Sequence, residues 1–355
     1  MKTKYIILFI LTFSTTVIYC QEIMLKDYAP HSIYRIPQSK IEKAKYPVID
    51  VHSHAYPTSE EEIMEWVENM DRAGIEKTIL LTGAVGEQFD SLLSIYSKFN
   101  PRFDLWCGLD ISDYGKQSFL PTLLRELERC HANGAQGVGE LTDKGLGIYL
   151  ASQKKRADGL HLNDPLMTAV YNKCAELNMP LNVHVADPYW MYLPIDEKND
   201  GLMNASEWEI DTSVENIRLH DELMVDFKSV LENHPETTFI ACHFMNCSYD
   251  LSILAGYLDS YPNLYADLSA RLGETGSIPR YMNRFLTRYS DRILFGTDNG
   301  FNAEMYHIYF RFLETDDEHF YVPSFNYHWN YSGFHLPDEV LGKIYSLNAK
   351  RILTN

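Results

Sequence analysis

The sequence predicts an α/β chain folded as a (β/α)8 TIM barrel, on three observations. Short β-type runs alternate with amphipathic segments, the connections are long enough to hold crossover helices, and ligand-capable residues gather at the C-terminal ends of several runs. Helix-length crossovers return the chain in the same direction, so the strands are parallel, and a closed barrel is the simplest way to pair eight of them. A doubly wound open sheet is the alternative, but no G-x-G-x-x-G follows the first run.

The expected strands are Val48–His52, Thr78–Thr82, Phe103–Leu109, Gln136–Leu141, Leu181–Val185, Thr238–Phe244, Leu264–Ser269 and Ile293–Gly296. Between them, helical spacing of apolar residues marks Glu60–Ala73, where Ile63, Trp66, Val67 and Met70 share a face, and also Phe119–Ala132, Pro165–Leu177, Val214–Leu231, Leu251–Leu258 and Tyr281–Tyr289. Pro337–Leu353 supplies a last helix, with Pro337 suited to a first turn and Asp338 and Glu339 to the positive end of its dipole. Three long βα loops are expected, residues 142–163 after strand four, 186–213 after strand five and 299–336 after strand eight. All leave the end of the barrel that builds active sites.

The 355 residues are 45% hydrophobic, enough for one large core, and disorder is excluded. A net charge of −18 argues against nucleic acid and against anionic lipid surfaces as partners. At the N-terminus, Lys2 and Lys4 precede the apolar run Tyr5–Phe13, the pattern of a secretory signal over residues 1–20 with cleavage near Cys20. The run is short for a membrane span, and bulky Tyr19 argues against lipidation of Cys20. The expectation is therefore an exported chain, periplasmic or extracellular, with no stable span in its mature form. Residues 21–46 read as an irregular lead and 47–355 as the barrel domain. The other cysteines are an odd set without a C-x-x-C pair, so neither a disulfide framework nor a thiolate zinc site follows.

Side chains alternate across a strand, so Asp50, His52 and His54 share the inward face of the first. Strand four brings Glu140 to the same end, strand five His184, strand six His243 and strand eight Asp298. Any one of these alone reads best as a hydrogen-bonded core group. Together they suit a divalent ion, zinc first, one or two in number, whose bound water is acidified toward a pKa of about 7. Asp298 is the expected base and a ligand. His243 is expected to polarise a carbonyl or to hold a second metal, and Glu140 to bridge or to be a distal ligand. Asp50 reads equally as a group that orients a histidine ring and as an interior hydrogen bond.

Asp-Val-His52-Ser-His54, Gly-Val-Gly-Glu140, Val-His184, the His243 strand and Asp291–Asp298 resemble the amidohydrolase superfamily in its amidohydrolase-related (type 2) branch, as does the end Leu347–Ile352. The resemblance covers about residues 47–353. It implies a metal-dependent hydrolase with ligands at His52, His54, His184 and Asp298 and with His243 as ligand or catalytic group. Relatives with two metals carry a carboxylated lysine where this chain has Glu140. The same branch includes non-oxidative decarboxylases and hydratases.

The principal expectation is therefore water activation on zinc to cleave an amide, ester or lactone-like bond of a small-molecule substrate. The alternative is a metal-dependent lyase acting on a carboxylated substrate, and a non-catalytic binding protein on the same scaffold is a remote third reading. Arg271, outermost on the inward face of strand seven, reads as a grip on an anionic group or as an ion pair with Glu274 or Asp267. Tyr189 and Trp190 could extend an aromatic substrate wall. The many rings of residues 301–334 read chiefly as a satellite core. Homo-oligomerisation is left open.

Overall fold

The computed structural model describes residues 23–353, so the leader expected at residues 1–20 lies outside the described residues. Eight parallel strands form the (β/α)8 barrel: Val48–Ser53, Ile75–Leu81, Phe103–Trp106, Val138–Asp143, Leu181–Val185, Phe239–Ala241, Leu264–Asp267 and Ile293–Leu294. Neighbours in sequence are neighbours in space. Strands three and four meet at Cys107 and Val138, and the circle closes where Val51 N–H donates to Phe295 O at 2.9 Å. Strand one is buried along its whole length, as a strand inside a ring of helices must be.

The outer helices begin and end by ordinary local chemistry. Ser59 caps Glu60–Ala73 by accepting from Glu62 N at 3.3 Å, acidic residues fill the first turn, and Gly74 at φ 84° stops the helix. Asp164 caps Pro165–Glu176, and Asp250 caps Leu251–Ser260. Ile63, Trp66 and Met70 face inward and are fully buried, and the Trp66 indole donates to Tyr306 Oη at 3.2 Å, tying this helix to Ala303–Glu314.

Ala303–Glu314 corrects the expectation of a loop over 299–336. Its buried residues Tyr306, Tyr309, Phe310 and Leu313 follow helical spacing, and Asn302 caps it by accepting from Met305 N at 2.9 Å. Phe312 joins Phe320, Tyr331 and Phe334 in edge-on and tilted ring contacts that are continuous with the main core, where a separate satellite core was expected. Gly86–Tyr96 is a further helix that the sequence pattern did not single out, and the helix expected from Val214 starts only at His220. The excursion after strand four includes a small antiparallel ribbon, Ile148–Leu150 with Lys155–Arg156, and the one after strand five includes the helix Leu202–Trp208.

Candidate active site

Strands one, four, five, six and eight bring His52, His54, Glu140, His184, His243 and Asp298 to one end of the barrel. Strand four carries an extra residue against strand five between Val138 and Leu141, a bulge that contains Gly139 and Glu140. A side chain at Gly139 would stand 2.9 Å from Asn182 Cβ, so the bulge packs close only with glycine there. The Glu140 carboxylate lies among the imidazoles: Oε2 is 3.6 Å from His54 Nε2 and 4.0 Å from His52 Nε2, and Oε1 is 3.7 Å from His243 Nε2 and in contact with His184 Nδ1. Asp298 Oδ1 is 3.1 Å from His54 Nε2, and its Oδ2 is 3.9 Å from both His52 Nε2 and His243 Nε2.

Three of the rings have their tautomers set from behind. His52 Nδ1–H donates to Asp267 Oδ2 at 2.9 Å, His54 Nδ1–H to Leu81 O at 2.8 Å, and His243 Nδ1–H to Ser269 O at 2.9 Å. A ring that donates through Nδ1 presents a lone pair at Nε2. All three lone pairs point toward the Glu140 and Asp298 carboxylates, and His52 Nε2 is buried without any hydrogen-bond partner. Burial works against a charged His52, yet Asp267, Asp298 and Glu140 outweigh it and lift its pKa to about 10. His243 is driven the other way, to about 4, by burial and by Arg271. A buried set of carboxylates and in-pointing lone pairs fits a divalent cation, which replaces the proton that the carboxylates draw onto His52. Cys242 also lies within reach of His52, Glu140 and His243, but its Sγ–H donates to Asn182 Oδ1 at 2.7 Å and burial raises its pKa, so it serves as a packed thiol.

Asp267 is the functional residue that the sequence reading left among ion-pair partners. Its alternation with Ser269 and Arg271 was the available signal. Its oxygens hold the His52 ring and accept from His243 N at 2.9 Å, and burial is overridden by His52, so its pKa is lowered. Asp50 accepts from Thr297 Oγ1 at 2.6 Å, from Thr297 N at 3.0 Å and from the backbone N–H of His52 at 3.2 Å. Behind His184, Asp187 lies 3.2 Å from Nε2 and 2.8 Å from Lys144 Nζ. Burial alone would raise the pKa of Asp187, but His184 and Lys144 hold it at about 2.

The ligand end opens into a cavity of about 450 Å³ that is lined by His184, His243 and Asp298 and also by Lys144, Asp187, Trp190, Glu207, Arg271, Glu274 and Tyr327. Trp190 is among the lining residues. Tyr189 is not: its ring stacks on Tyr249 at 4.3 Å and meets His220 edge-on, because the short turn Tyr189–Tyr192 sends successive rings to different sides. Arg271 lines the cavity and is also tethered, by Nε to Asn246 Oδ1 at 3.0 Å and by Nη1 to Ala270 O at 3.0 Å, with Glu274 Oε1 3.6 Å away. Burial raises the Glu274 carboxyl against the pull of Arg271.

Comparison with known proteins agrees with this architecture. Solved structures similar to the chain include 2,6-dihydroxybenzoate decarboxylase from Rhizobium, at 17% identity and TM-score 0.53 over 87% of this chain and 99% of that one. A dihydroxybenzoic acid decarboxylase from Polaromonas, with manganese and 2-nitroresorcinol bound, matches at 16% and 0.53 over 87% and 97%. A 5-carboxyvanillate decarboxylase from Novosphingobium aromaticivorans, complexed with manganese, matches at 14% and 0.50 over 84% and 81%. At such identities the likeness is one of fold. No curated protein matches the chain. The family model described as Amidohydrolase matches residues 106–354, which span strands four to eight with Glu140, His184, His243 and Asp298, and the chain therefore belongs to the amidohydrolase-related family of TIM-barrel enzymes.

Proposed function

We propose that this enzyme hydrolyses an amide, ester or lactone-like bond of a small molecule with a divalent ion, zinc or manganese, held by His52, His54, His184 and Asp298, with Glu140 and His243 completing the set. Such an ion supplies Lewis acidity, polarising an electrophile and acidifying water. The observation that supports hydrolysis is the placement of Asp298. Its carboxylate reaches the His54 and His52 nitrogens, lines the cavity, and accepts from Tyr56 Oη at 3.4 Å. A carboxylate so placed takes the proton of an attacking water and returns it to the leaving group. The neutral His243 ring donates through Nδ1 to Ser269 O and is held to one orientation beside the reacting atoms. Asp267 keeps the His52 lone pair turned inward, and Asp50 steadies Thr297, the residue before Asp298.

Decarboxylation of a carboxylated substrate is the second reading, favoured by the three decarboxylases among the similar structures. Turnover in ¹⁸O-labelled water separates the two. Hydrolysis of an uncharged ester, lactone or amide places one solvent oxygen in the product. Release of CO₂ from 2,6-dihydroxybenzoate, with no label gained from any uncharged substrate, would replace the first reading by the second. Elemental analysis of the purified protein identifies the ion and its number. We also propose that the chain is exported through a leader at residues 1–20. A mature N-terminus at Met1 in the producing cell would contradict this.

A further inference from the structure

The part of the cavity wall built by Trp190, Arg271, Glu274 and Tyr327 has a chemistry of its own. Resting on the reading of this cavity as the substrate site, we propose that this wall binds an uncharged, hydroxyl-rich ring, a sugar unit, in place of an aromatic acid.

Charge is the first argument. Both lysine and arginine side chains that line the cavity already have acidic partners: Lys144 Nζ is 2.8 Å from Asp187 Oδ1, and Arg271 Nε is 3.6 Å from Glu274 Oε1. Arg271 also spends donors on Asn246 Oδ1 and Ala270 O. Glu207 adds a further acid to the lining, while Asp298 is taken up by the proposed ion. At this wall, away from the ion, a carboxylate would meet compensated cations and like charge, which disfavours it there.

Hydrogen-bonding capacity is the second. Tyr327 Oη donates to Glu274 Oε1 at 3.2 Å, which leaves the carboxyl further lone pairs. Trp190 and Ser248 also turn polar atoms toward the Glu274 carboxyl, and together with Tyr327 they oppose the rise that burial imposes on its pKa. An acceptor and several donors therefore lie side by side around one carboxyl. A hydroxyl, which donates and accepts at once, satisfies both kinds, whereas a carboxylate can only accept.

The rings supply the third argument. Gly201 lies so close to Trp190 that a Cβ there would stand 2.5 Å from its Cγ. Tyr327 stacks on Trp329 at 4.4 Å, and a Cβ at Gly273 would come within 2.8 Å of the Tyr327 ring. The Trp190 and Tyr327 rings are both part-buried, and they meet each other edge-on at 6.2 Å. Rigid aromatic faces beside a polar cluster suit a ring with apolar C–H faces and a hydroxyl rim.

Binding is read by calorimetry and tryptophan emission in the full chain and in its Asp298→Asn variant. The probes are methyl β-D-glucopyranoside, methyl β-D-galactopyranoside and N-acetyl-D-glucosamine, with benzoate and 2,6-dihydroxybenzoate as the acids, each up to about 50 mM. At least one saccharide is expected to bind both proteins, and Glu274→Gln to weaken it about tenfold. Trp190→Phe, which removes the indole N–H, carries the same test if Glu274→Gln does not fold. Failure of all three saccharides overturns the inference, as does tighter binding of either acid. Because Asp298→Asn reads binding without turnover, a chain that binds saccharide and hydrolyses nothing would sink the reaction proposed above and leave this wall as described.

Discussion

The outer ring of helices and the C-terminal rim of the barrel obey different local rules. On the outside, helices start at Ser59, Asp164 and Asp250 and stop at residues such as Gly74, with backbone and side chain in agreement. At the rim, non-glycine residues sit in the left-handed region just after four consecutive strands: Ala186 after the fifth, His243, Phe244, Met245 and Asn246 after the sixth, Ala270 after the seventh and Asp298 after the eighth. Each left-handed non-glycine residue costs on the order of 1–2 kcal/mol. The strained residues include two of the proposed site residues, His243 and Asp298, and Ala270, the neighbour of Arg271. Stability is stored in the ring and spent where side chains must converge on one point.

The largest effects should come from breaking the rim chemically while leaving its backbone alone. Asn tolerates the left-handed conformation of Asp298 well. Asp298→Asn should therefore keep its melting temperature within a few degrees and lower kcat by about a thousandfold or more. Near-normal turnover would remove Asp298 from the reaction. Asp267→Asn comes next. It loosens the His52 ring without touching the cavity, and should weaken metal affinity about 10- to 100-fold, measured by competition with a chelator. Unchanged affinity would mean that the His52 lone pair needs no support from behind.

The same contrast explains what was legible in the sequence. Glu60–Ala73 and Phe119–Ala132 were readable to the residue, because the spacing of their apolar residues is local and agrees with the fold. Strand ends at the rim were not. Expected runs to Phe244, Ser269 and Gly296 stop at Ala241, Asp267 and Leu294, because the chain leaves the strand and turns left-handed soon afterwards, at His243–Asn246, Ala270 and Asp298. His52, His54, Glu140, His184, His243 and Asp298 could be gathered from order and alternation alone. The tautomer-setting partners Leu81 O and Ser269 O could not, being backbone atoms without a residue signature. Gly86–Tyr96 was hidden for a related reason: it has no capping side chain of its own, and Gly86 N donates instead to Glu126 Oε1, from a different helix, at 2.7 Å.

That borrowed cap provides a test of the ring. Arg129 holds both oxygens of Glu126 at 2.8 Å and, together with the Gly86 N–H, brings its pKa down from 4.5 to about 2 against the effect of burial. A pKa lowered by folding means that the carboxylate stabilises the native state above about pH 4.5 and that this contribution is lost as pH falls through about 2. Glu126→Gln should therefore cost on the order of 2–3 kcal/mol at neutral pH with kcat unchanged. In urea titrations the difference from the parent should shrink steadily as the pH is lowered. A pH-independent difference would assign the loss to packing, and a fall in kcat would couple ring and rim more tightly than the comparison allows.

The smallest effect tests the strain itself. Ala270 lies at φ 51°, its N–H shared between Thr297 O and Tyr309 Oη, both at 3.0 Å. Ala270→Gly removes the Cβ that makes this conformation costly, and it also gives the unfolded chain more freedom, which offsets roughly 0.5–1 kcal/mol. The balance should favour the variant by about 0.5 kcal/mol, visible as a higher urea midpoint at constant slope. The neighbouring Arg271, which donates to Ala270 O, should become less well held, so KM should rise more than kcat falls. Gly74→Ala, made in the ring at φ 84°, should destabilise instead, because there the sequence already has the residue that the backbone requires. If Ala270→Gly destabilised by as much as Gly74→Ala, the left-handed residues of the rim would carry no strain, and their clustering around the site would need another cause.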